Sequence, residues 1–130
     1  MLKLISAIAA IATTSSVSLA AAQDAERRPI QDPLALRRLL VAAIDSPAGE
    51  ARGQLTGEVA SLMSERFHTT GPILIDVTTE RRYAQPGCSR LKVRFSQNGV
   101  VLPGESAPQT RTVDIGLNYC RDGSPPKSLS

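Results

Sequence analysis

The chain's only two cysteines, Cys88 and Cys120, constrain what it can fold into more than any other feature. Each lies at the edge of a run that alternates like a β-strand: Leu91, Val93 and Phe95 follow Cys88, and Val113, Ile115, Leu117 and Tyr119 precede Cys120. A bridge needs Cα atoms within about 7 Å, so joining the start of one strand to the end of the other makes the two strands antiparallel neighbours. Such a bridge closes a loop of 33 residues and contributes roughly 3–4 kcal/mol in the loop-entropy picture. The spacing is far too long for a CxxC redox pair. The single histidine, His68, offers too few ligands to make a metal site of the pair, and no metal or cofactor is expected.

Pairing presupposes an oxidising compartment, and the amino terminus supplies the route to one. Lys3, the apolar run from Leu4 to Ala12, the polar stretch Thr13 to Ser16 and the small residues Ala20 and Ala22 form a three-part secretory signal. Cleavage is expected after Ala22. Thr and Ser interrupt the apolar run well short of the roughly 20 residues that a membrane-spanning helix needs. No later stretch reaches that length, so no transmembrane segment is expected in the mature chain. Processing removes one charge, Lys3, and leaves 108 residues with a net charge near +2. That is a weak basic excess, and Phe67, Tyr83, Phe95 and Tyr119 are the only aromatics. A strong nucleic-acid signal would need more of both. The location expected is periplasmic or secreted.

Residues 23–31 are polar without periodicity and read as a flexible leader, residues 32–123 as one domain, and 124–130 as a flexible tail. Asp32-Pro33 is a helix start, with Asp32 as N-cap and Pro33 in the first turn. Leu36, Leu39, Leu40, Ala43 and Ile44 then recur at helical spacing up to Asp45. Ser46-Pro47 repeats the signal, and Ala51, Leu55, Val59, Leu62, Met63 and Phe67 predict a second helix to about Phe67. On that helix Gly49, Gly53 and Gly57 would form a bare ridge, read as a late or frayed helix start, as close packing of the first helix, or as a groove for a partner's backbone. Each of them would cost about 1 kcal/mol relative to alanine there.

From Ile73 onward the pattern is that of strands. Ile73, Ile75 and Val77 alternate with polar positions, Pro86-Gly87 marks a turn, and Asn98-Gly99 marks a tight turn before Val100. In the last run, Gly116 signals a bulge or a close backbone approach. The expected fold is α+β: two N-terminal helices on one face of a three- or four-stranded antiparallel sheet, stapled by Cys88–Cys120.

No catalytic motif stands out, and an enzyme is not expected. His68 at a helix end is read as a cap, while Asp76 and Glu80 read as solvated strand carboxylates. The most informative surface feature is basic. Arg81 and Arg82 end one strand, and Arg90, Lys92 and Arg94 share one face of the next, roughly 6–7 Å apart by strand rise. Asp114, flanked by Thr112 and Asn118, could face them from the last strand. Ordinary cross-strand charge pairing competes here with a docking face for an acidic protein, a cell-wall polymer or an anionic lipid surface.

The segments Thr79-Glu80-Arg81-Arg82-Tyr83-Ala84-Gln85-Pro86-Gly87-Cys88 and Asn118-Tyr119-Cys120-Arg121-Asp122-Gly123 resemble small exported proteins of plasmid conjugation and type IV secretion clusters in Gram-negative bacteria. The resemblance covers the last third of the chain and assigns no residue a role. It implies a periplasmic accessory protein of transfer or assembly. The leading expectation is a non-enzymatic accessory or binding protein whose partner is another periplasmic or envelope protein. The alternative is an exported inhibitor or immunity-type module acting on an envelope enzyme.

Overall fold

The computed structural model describes residues 27–130. The signal segment 1–22 and the first residues of the leader lie outside the described residues. Five strands form one sheet in sequential order: β1 (Arg28–Ile30), β2 (Glu50–Leu55), β3 (Ile73–Arg82), β4 (Cys88–Val100) and β5 (Gln109–Cys120). Helix α1 (Pro33–Asp45) connects β1 to β2, and α2 (Glu58–Arg66) connects β2 to β3. The sheet is mixed. β1 runs parallel to β2, as strands joined through a crossover helix can, and the other three pairings are antiparallel.

The first helix forms as its sequence predicts. Asp32 Oδ1 accepts the backbone N–H of Ala35 at 2.7 Å, and Pro33 takes the first helical turn, where its missing N–H costs nothing. Leu39, Leu40, Ala43 and Ile44 are buried. They pack with Ile30, Ile75, Val77, Leu91 and Val93 into one core between α1 and one face of the sheet.

The remaining expectations for the amino-terminal half need correction. The leader is not wholly flexible: Arg28–Ile30 is a strand, held because Ile30 is buried and its carbonyl accepts the N–H of Thr56 at 2.8 Å. Three residues are too few to show periodicity. Nor does a second helix run from Pro47 to Phe67. Its first part is β2, its last part is α2, and Gly57 lies between them at φ +84°. Ala51 and Leu55 satisfy a helical spacing and a strand alternation equally, and pairing with β3 over Glu50 to Leu55 decides for the strand. Three glycines would have weakened a helix there by about 3 kcal/mol in total.

Among the described residues, only α1 therefore covers the sheet. α2 has no buried residue, and it is tied to the end of the sheet, where Gln97 Nε2 donates to Ser64 Oγ and to the Gly71 carbonyl. Its carboxyl end closes on His68, whose φ is +51°, with His68 N–H donating to Glu65 O and Thr69 N–H to Ser64 O. This is a Schellman closure, so His68 serves through its left-handed backbone.

The disulfide joins Cys88 to Cys120, which are direct register partners with Cα atoms 4.0 Å apart. Both are buried. Strand alternation sets them at the end of the face turned away from α1, as expected. Asn98-Gly99 is not the hairpin turn. It lies within β4 where the register with β5 shifts between Gln97 and Val100, and the chain reverses later, in 101–108. The tail is also engaged: Ser130 O accepts from Ala84 N–H, and Lys127 N–H donates to Gln85 Oε1.

Candidate functional site

With α1 on one face, no helix among the described residues covers the opposite face of the sheet, and that face carries most of the basic residues that the sequence singles out. Leu91 and Val93 point into the core, so Arg90, Lys92 and Arg94 must point away from it. They form the predicted row. Arg94 meets Asp114 as its register partner and grips it with two bonds, Nε to Oδ1 at 2.7 Å and Nη2 to Oδ2 at 2.9 Å. That contact raises the Arg94 pKa and lowers that of Asp114 below the usual aspartate range, chiefly through the hydrogen bonds and then through charge. Lys92 lies between Thr78 and Gly116 and acts on Asp114 only through space. Arg90 spreads across Gly116, where an added Cβ would collide with its guanidinium, and donates to Asn118 Oδ1 at 3.2 Å. Tyr83 Oη donates to the same oxygen at 2.7 Å.

Arg81 and Arg82 part company. The β3–β4 register shifts between Thr79 and Arg81, so Glu80 is an extra residue that reverses the facing of the two arginines after it. Arg81 becomes the partner of Arg90, on the bare face, and its guanidinium carbon stands 5.6 Å from the centre of the Tyr83 ring, a cation–π contact. Arg82 turns to the α1 side. It donates to the carbonyls of Ile44 (3.0 Å) and Ser46 (2.9 Å), the end of α1 where a cation is favoured by the helix dipole. Arg82 is a structural cap and leaves the candidate surface. No sequence signal short of the bulge itself could have separated these two adjacent arginines.

The glycine ridge does not exist. Gly49 and Gly57 are turn residues at φ +72° and +84° on either side of β2. Gly53 lies within β2 and is buried against α1, where an added Cβ would sit 2.9 Å from Ile30 Cγ1 and 3.0 Å from Leu39 Cδ2. Close packing of the first helix is one of the three explanations that the sequence suggests for these glycines. Gly53 alone fills it, from a strand.

Two cations that the sequence pattern does not single out belong to the same face. Alternation from buried Gly53 sets Arg52 there, beside its register partner Asp76. Arg27 binds Asp76 Oδ1 at 3.0 Å and the Gly53 carbonyl at 3.0 Å. The face thus joins Arg27, Arg52, Arg81, Arg90, Lys92 and Arg94 to the carboxylates Asp76 and Asp114, and to Glu50, which strand alternation sets on the same side as Arg52. Among the described residues, no group of three or more His, Cys, Asp or Glu could hold a metal ion, and no helix is long and apolar enough to cross a membrane. No protein-family model, curated protein or solved structure matches the chain.

Proposed function

We propose that this chain is a non-enzymatic accessory protein of the bacterial envelope that binds an acidic protein partner through the bare face of its sheet. The observation that carries the reading is the gathering of Arg81, Arg90, Lys92 and Arg94 on a face that α1 leaves uncovered. The three carboxylates there, Glu50, Asp76 and Asp114, do not neutralise six cations, and the surplus attracts an acidic surface over about a Debye length, 8–10 Å at physiological salt. The bridge Cys88–Cys120 and the Tyr83–Asn118–Arg90 bonds fix the row on a rigid support. A disulfide-stapled domain suits the periplasm, and conjugative transfer or type IV secretion is the setting we assign to it.

The test is charge reversal at two positions outside the Arg94–Asp114 pair. Arg81→Glu with Lys92→Glu should unfold at the same temperature as the parent and lose a secretion or conjugation component that the parent retains from periplasmic extract at low salt. Retention of every bound protein by the double variant refutes the docking face. Recovery of a single envelope hydrolase in place of transfer components would favour the inhibitor reading instead.

A further inference from the structure

The sheet has two edges, and they are built differently. β1 is three residues long and contains Pro29, two of the devices by which proteins keep an edge from pairing with another chain. β5 is twelve residues long, and its outer edge pairs with nothing among the described residues. From Thr112 to Tyr119 it contains no proline and no lysine, and the one register shift of its ladder lies outside that stretch. Its α1-side residues Val113 and Ile115 are 59% and 45% exposed, because the core under α1 reaches β5 only at Leu117 and Tyr119.

The direction of the unpaired backbone groups follows from the hydrogen bonds at the strand's end. Arg121 N–H donates across to Gly87 O, whereas Cys120 N–H donates away from β4, to Ser124 O. Antiparallel ladders alternate with a period of two. Thr112, Asp114, Gly116 and Asn118 therefore turn their N–H and C=O groups outward. The short Cα separation of Cys88 and Cys120 agrees, since it is that of a non-hydrogen-bonded pair.

We infer that β5 pairs with β5 of a second copy of this chain, antiparallel across a two-fold axis at Gly116. That register sets Asp114 opposite Asn118 of the other copy, an acceptor against an amide, and keeps the two Asp114 carboxylates from facing each other. On the α1 side it sets the exposed Ile115 against the half-buried Leu117 and the exposed Val113 against the half-buried Tyr119, so each exposed apolar group gains an apolar cover. Gly116 meets Gly116 at the axis. No other segment need be supplied, because the strand is its own complement, as an isologous interface requires. The paired stretch is roughly 30 Å long by strand rise, and the total area covered is on the order of 1,000 Å², which suits a weak, reversible dimer. The two basic rows would then continue across one ten-stranded sheet.

The experiment is sedimentation velocity on the purified, oxidised chain up to about 200 µM, a range that captures micromolar association. The parent should shift from monomer to dimer. Ile115→Lys, which brings a charge to an exposed edge position, should weaken that shift at least tenfold. Asp114→Pro, which removes an outward N–H facing Asn118 of the other copy and no backbone bond to β4, should do the same. Far-ultraviolet circular dichroism of both variants should match the parent. A parent that stays monomeric throughout, or a dimer that neither substitution weakens, overturns the inference. So does a monomer whose free edge takes up an extended peptide instead.

Discussion

Replacing Gly53 by alanine separates two structures for the same segment by the sign of one number. On a helix, alanine would raise stability by about 1 kcal/mol over glycine. In β2 the added methyl would stand 2.9 Å from Ile30 Cγ1, 3.0 Å from Leu39 Cδ2 and 3.1 Å from Arg28 O. Both side chains are buried, at 3% and 0% exposure, so neither has solvent to move into. Overpacking of this kind costs typically 1–3 kcal/mol, and the lower entropy of the unfolded alanine chain returns about 0.4–1. The net effect is a loss of about 1–2 kcal/mol. With a urea slope of about 1–1.5 kcal/mol/M for a domain of this size, the midpoint should fall by about 1 M. In an Ile30→Ala background the nearest collision is gone, and the cost of Gly53→Ala should shrink. Urea titration followed by circular dichroism decides it. A Gly53→Ala variant as stable as the parent, or more so, would refute the close approach of α1 to β2.

Replacing both Cys88 and Cys120 by alanine should lower stability by about 3–4 kcal/mol through the 33-residue loop that they close. A loss under about 1 kcal/mol in urea would remove the bridge as a staple. The Asp114 carboxyl, held low by Arg94, should titrate below the ordinary aspartate value near 3.9, and Arg94→Ala should bring it back up. Because the folded value is depressed, the pair's contribution is present above the ordinary aspartate range and fades as pH falls through the lowered value. A carboxyl-carbon NMR titration with the same Asp114 midpoint in parent and variant would contradict the geometry.

The carboxyl-terminal half was legible because its strands carry their own evidence. Val93 and Phe95 against Lys92 and Arg94 fix which side faces the core, and Cys88 and Cys120 then fix which strands are neighbours. The basic row followed directly from that alternation. Two places were exceptions: Asn98-Gly99, which continues β4 instead of turning, and Glu80. A bulge is a property of two strands measured against each other, so Arg81 and Arg82 could be sent to opposite faces only by the β3–β4 pairing. Gly116 signals a close approach by its place in a strand, and Arg90 lying over it supplies the reason.

By itself the sequence determined the first helix, the three long strands and the bridge, because each rests on local signals: a cap, a period, a pair of cysteines. Only the tertiary structure decided β1 and β2. Arg28–Ile30 is too short to signal anything alone, and Glu50–Leu55 fits two periods equally well. Their conformation comes from the neighbours that they pair with and from the helix that presses on Gly53, interactions between residues distant in the chain. The same holds for the bare basic face. Its residues were visible in order along β4, but its being uncovered depended on α2 standing at the end of the sheet instead of on it.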